Sequence, residues 1–206
     1  MCVVSHCVND SKEEFIMEKA RSLSTRKMVL GAILTALVVV LQLMGAFVRF
    51  GPFSISLVLI PIVIGAATCG VGIGAWLGFV FGVAVLLSGD AAAFMAVNVA
   101  GTIATVLVKG TACGYAAGIV YKLLTKYNRY FAVVAAAVVC PVVNTGVFLI
   151  GCLLFFMETI TQWAGGTNVG TYMIVVLVGL NFLVELATNV VLGPVVSRLL
   201  MIHEKQ

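Results

Sequence analysis

From Phe50 to Gly89 the chain carries no charged side chain, and the second half of that run sets Gly70, Gly74, Gly78 and Gly82 at strict four-residue spacing. A helix needs about 20 apolar residues to cross a bilayer. The run is therefore long enough for two crossings joined by a tight turn. A spacing of four puts small residues in one stripe of a helix and lets two backbones approach closely. Gly110, Gly114 and Gly118 repeat the pattern, and Ala32 with Ala36 forms a similar pair in the first apolar stretch. The expected use of the glycines is packing within a bundle. The alanine pair sits near the foot of the first span, where a partner could use it.

Composition points the same way. The 206 residues are 62% hydrophobic and 10% charged, which no soluble domain of this size matches. The predicted fold class is an all-α membrane protein, a six-transmembrane-helix bundle. Its spans are expected near 28–48, 54–67, 71–88, 92–121, 130–156 and 171–200. Residues 1–26 read as a polar N-terminal segment, 27–201 as the transmembrane six-helix domain and 202–206 as a short tail. Ten of the 12 basic residues fall on one side of this arrangement. They are Lys12, Lys19, Arg21, Arg26, Lys27, Lys122, Lys126, Arg129, Arg198 and Lys205. The positive-inside rule then makes both termini cytoplasmic.

Several functions are disfavoured. The net charge of +4 comes from residues beside the spans, so nucleic acid is not an expected partner. The only histidines, His6 and His203, lie in the polar tails, and neither HExxH nor GxSxG occurs. With no GxxxxGK[ST] loop, this chain is not expected to hydrolyse ATP through a P-loop. Cys2, Cys7, Cys69, Cys113, Cys140 and Cys152 form no CxxC pair and read as small buried side chains rather than metal ligands. The chain is expected not to be an enzyme and to hold neither metal nor cofactor. The N-terminal segment lacks the apolar core of a cleavable signal, and Met17 is a possible start. An intact mass that includes Met1 rules that start out.

Polar side chains deep in apolar spans are costly and mark function. The fourth span carries Asn98, Thr102, Thr105 and Lys109 on one helix face. The sixth carries Asn181, Glu185 and Asn189, and the fifth carries Asn144 and Thr145 near its middle. Lys109 and Glu185 fall at matching depth and are expected to pair. The candidate solute ligands are Asn98, Thr102, Lys109, Asn144, Asn181, Glu185 and the outer-loop Arg49. A purely structural Lys109–Glu185 bridge, with the amides joining helices, is the competing reading. Trp163 is expected at the membrane interface rather than over a pocket.

These features are carried by a chain that resembles the substrate-specific S component of energy-coupling-factor (ECF) vitamin transporters. Residues 30–37, Leu-Gly-Ala-Ile-Leu-Thr-Ala-Leu, resemble the family's AxxxA motif. Gly51-Pro52-Phe53 leads into an apolar stretch from Leu57 to Gly65, followed by a glycine-rich turn at Cys69–Gly72. The resemblance covers about residues 25–200. It implies a multi-pass subunit in a bacterial cytoplasmic membrane that captures a vitamin or small nutrient from outside. It further implies that outer loops close over the pocket and that Ala32 and Ala36 contact a membrane coupling subunit. Two ATP-binding cassette ATPases would use the ATP, and the S component would topple to release its solute. Pantothenate is the expected solute. Lys109 and Arg49 suit a carboxylate, the amides and threonines suit its hydroxyls and amide, and few aromatics are expected in the pocket. The alternative is a stand-alone ion-coupled secondary transporter using Lys109 and Glu185.

Overall fold

The computed structural model describes residues 25–45, 49–50, 53–54 and 57–203, with side chains described except at 49–50, 53–54, 180–181 and 194–203. Most of the expected N-terminal segment and the end of the tail therefore lie outside the described residues. Helix α1, Thr25–Gly45, is followed by a two-residue antiparallel pair, β1 (Arg49–Phe50) and β2 (Phe53–Ser54). Then come α2 (Leu59–Thr68), α3 (Val71–Ser88), the single turn α4 (Ala92–Met95), α5 (Val99–Leu124) and α6 (Arg129–Phe155). The described residues end with α7 (Met157–Ala164), the turn α8 (Val169–Tyr172), a π-helical stretch Met173–Gly179 and α9 (Leu180–His203).

Four of these helices, α1, α3, α5 and α6, are long and apolar enough to cross a membrane. A fifth crossing results if Val169–Gly179 and Phe182–Gly193, bent by 42°, count as one. The stretch expected as the second span forms only the ten-residue α2, about 15 Å long at 1.5 Å per residue and half the ~30 Å hydrocarbon thickness. It packs against α3, α5, α6 and α9, and Val58, Leu59 and Ile62 are fully buried there.

Asparagines start the later helices. Asn98 accepts from the Gly101 N–H, Asn128 from Tyr130 and Phe131, and Asn168 from Gly170 and Thr171. Each satisfies amides that the first helical turn leaves without partners. The Asn98 cap ends the expected continuous helix from 92: its backbone is extended (φ −149°, ψ 99°) and α4 stops just before it.

The glycine ladders interlock. A Cβ built on Gly78 would run into the carbonyl of Gly110, and one on Gly114 into the carbonyl of Gly74. At Gly82 it would lie 2.9 Å from the Val106 carbonyl oxygen. The order of these contacts makes α3 and α5 antiparallel. Gly70 differs: nothing lies within 4 Å of its built Cβ, and its φ of +102° is a backbone conformation that glycine adopts without strain. It forms the turn between α2 and α3.

Candidate solute-binding site

The residues facing the middle of the bundle enclose a cavity of about 380 Å³, within the range of small-ligand sites. Helix α5 contributes Thr102, Thr105, Val106 and Lys109, and α6 contributes Asn144, Thr145 and Phe148. Glu185 and Phe182 come from α9. Gln42 of α1 and Asp90, after α3, complete the polar lining, together with Tyr172 of α8. Five of the polar groups are almost wholly removed from the surface: Thr102, Thr105, Asn144, Glu185 and Gln42.

Helical packing explains why they meet. Gly151 of α6 sits against Thr105, where a built Cβ would collide with the threonine side chain. This close approach of α5 and α6 brings the Lys109 and Asn144 levels to one cavity. Lys109 Nζ lies 5.3 Å from the Phe148 ring centroid and 5.9 Å from that of Phe81. An ammonium over two ring faces gains cation–π attraction. The expected direct bridge does not form. Lys109 and Glu185 share the cavity, yet among the described residues no ion pair joins them. The physical reason is that the cavity and the rings lie about the ammonium, so equal depth along two helices does not bring the charged ends into contact.

The expectation of few aromatics is overturned. Phe81, Phe94, Phe148, Phe156, Trp163, Tyr172 and Phe182 all line the cavity. Phe94 makes edge-to-face contacts with Phe148, Phe156 and Trp163 at centroid distances of 5.6, 5.1 and 5.6 Å. Such offset arrangements are the favoured geometry of aromatic pairs. Trp163 is thus a wall of the cavity. It is carried there by α7, which forms within the stretch expected to be loop and anchors itself through buried Ile160 and Ala164.

Other predicted site residues lie elsewhere. Asn98 is not in the lining, because its side chain caps α5, and the Thr102 hydroxyl donates to the Asn98 carbonyl at 2.7 Å. The polar face expected to run from Asn98 to Lys109 is therefore partly a helix cap. Asn189 is buried, with its amide donating to the Glu185 carbonyl at 2.8 Å. The side chains of Arg49 and Asn181 lie outside the described residues. Ala32 and Ala36 are exposed on α1, away from its buried stripe of Leu34, Val38 and Gln42.

Sequence reasoning missed Gln42 and Asp90. The Gln42 amide donates to Asp90 Oδ2 at 2.6 Å and approaches Ser88 Oγ at 3.4 Å, while Ser88 Oγ lies 3.2 Å from Asp90 Oδ2. The signal was present, since Gln42 is a lone strongly polar residue between Thr35 and Arg49.

The described residues thus form a membrane-type helical bundle around a cavity with charged, amide and aromatic walls. The chain belongs to the family of substrate-specific components of ECF transporters, whose family model matches residues 26–197. It is thus a multi-pass membrane transport protein. Membership implies a small-molecule substrate and association with the membrane and ATPase subunits of an ECF transporter. No curated protein and no solved structure matches it.

Proposed function

We propose that this chain captures a vitamin-sized nutrient from outside a bacterial cell and delivers it to a separate coupling subunit driven by two ATP-binding cassette ATPases. The observation that carries this reading is the convergence of Lys109, Glu185 and Asn144 on one cavity of small-ligand size. ATP is used by the partners, and no cofactor resides in this chain. The bundle crosses the cytoplasmic membrane six times with both termini inside. Alternating helix directions support that topology. Along α3, α5 and α6, Gly74 and Gly78 oppose Gly114 and Gly110, and Gly101 and Gly151 lie against Phe155 and Thr105. In this reading α2 is a short crossing.

Pantothenate keeps one ground and loses another. Lys109 suits its carboxylate, but the seven aromatic walls remove the case for a solute without a ring. The test is thermal-shift binding of the detergent-purified chain against a vitamin panel that includes pantothenate, followed by calorimetry. A specific shift with sub-micromolar affinity (about −8 kcal/mol or better) is expected. No response from well-folded protein counts against solute capture. Lys109→Ala is expected to weaken binding of a carboxylate-bearing solute by at least ~1.5 kcal/mol, the scale of a charged hydrogen bond.

The ion-coupled alternative draws on the same two charges in one cavity. Uptake by the chain alone in proteoliposomes, with no ATPase present, would favour it. Uptake only with the ATPase module excludes it.

A further inference from the structure

The cavity wall is unevenly satisfied. Glu185 is 4% exposed and lines the cavity. Among the described residues its carboxylate makes neither a hydrogen bond nor an ion pair; only its main-chain carbonyl is engaged, by Asn189. Asn144 is 6% exposed, and its Oδ1 is buried without a hydrogen-bond partner. Both are acceptors, carried by helices α6 and α9 that pack on each other. Buried acceptors left without donors are costly, and native structures satisfy nearly all of them with protein, water or ligand. Lys109 differs, because two aromatic faces already surround its ammonium.

The aromatic walls add ring faces suited to stacking and to cations.

We propose that the solute is a flat nitrogen heterocycle bearing a positive charge or an amino-type N–H donor, and that Glu185 and Asn144 receive that group. This rests on the solute-capture reading above and specifies its substrate class. An acidic substituent, if present, faces Lys109. Thr105, whose Oγ1 is also buried without a partner, offers a further contact beside the ring.

The experiment is native mass spectrometry of the purified full chain mixed with pantothenate, riboflavin, thiamine, pyridoxamine, pyridoxine and 4-pyridoxate. Calorimetry of the retained compound on the wild type and on Glu185→Gln follows. The last three compounds share one ring and differ in whether it bears an amine, a hydroxyl or a carboxylate. The expected result is retention of an aminated or cationic heterocycle. Glu185→Gln should lower its affinity at least about tenfold, as loss of a charged hydrogen bond does. The same variant should leave the Tm of the solute-free protein unchanged or raised, because it removes an unsatisfied buried charge. A structural role for Glu185 would lower that Tm instead. Retention of pantothenate or 4-pyridoxate in preference to the aminated compounds overturns the proposal and leaves solute capture standing. So does a change in affinity of less than about twofold in Glu185→Gln, too small for such a bond. Retention of nothing by folded protein overturns both.

Discussion

At the scale of single residues, the site is built from polar groups that a lipid-facing chain rarely carries. Gln42 shows the energetics most plainly. It is 4% exposed, and its amide donates to Asp90 at 2.6 Å, tying α1 to the end of α3. Gln42→Leu keeps most of the volume and removes one donor from a carboxylate at the cavity edge. Such a loss costs about 1–3 kcal/mol, so a lower Tm in detergent is the expected outcome. Gln42→Glu should lower it further by setting two carboxylates together. An unchanged Tm in both variants would show that this contact contributes nothing to stability. The same rule explains what could be read in advance. Lys109, Glu185, Asn144 and Thr102 stand out in the sequence because their surroundings are apolar, and Gln42 was legible on that ground too. The aromatic walls were not: a phenylalanine in an apolar helix looks alike whether it faces lipid, core or cavity. Asn98 misled because its role depends on a break in the backbone. Polar spacing alone does not reveal such a break.

At the scale of elements, small residues decide which helices can touch. The α3–α5 interface is closed by glycines whose missing side chains leave room for the opposing carbonyls. Gly78→Ala forces its Cβ into the Gly110 carbonyl, and backbone cannot rotate away as a long side chain can. Overpacking of this kind costs about 1–3 kcal/mol. A clear fall in Tm is expected, together with weaker solute binding, because α3 carries Phe81 and α5 carries Lys109. Gly72→Ala is the control. Nothing lies within 4 Å of its built Cβ, and alanine in a helix is favoured over glycine by up to about 1 kcal/mol, so its Tm should hold or rise. Equal losses in the two variants would mean that the close approach is not what limits substitution. The ladder itself was legible from spacing. The separate use of Gly70 in the turn was not, since one periodicity covers a packing glycine and a backbone-permissive one alike. The π-helical stretch and the 42° bend at the start of α9 also left no mark in the apolar pattern, because any apolar side chain tolerates either hydrogen-bond register.

At the scale of the whole molecule, α1 has two faces with different duties. Leu34, Val38 and Gln42 turn inward, whereas Ala32 and Ala36 remain exposed. An exposed small-residue pair lets another helix approach closely without desolvating any polar group. In the proposed assembly this is the surface that meets the coupling subunit, and it is separate from the cavity wall. Capture and delivery should therefore come apart under mutation. Ala36→Trp, or the double variant Ala32→Trp/Ala36→Trp, projects bulk outward from α1 and leaves the cavity-lining Gln42 in place. Solute affinity of the isolated chain should stay within about twofold. Co-purification with the coupling subunit and ATP-driven uptake in proteoliposomes should each fall at least about tenfold, as when a central interface contact is blocked. A parallel loss of affinity and uptake would place the pair in the packing of the bundle rather than at its docking surface. Retained uptake would move the docking surface to another face. Only the expected split separates the chemistry of the cavity from the mechanics of delivery, because calorimetry reads the first and transport reads both.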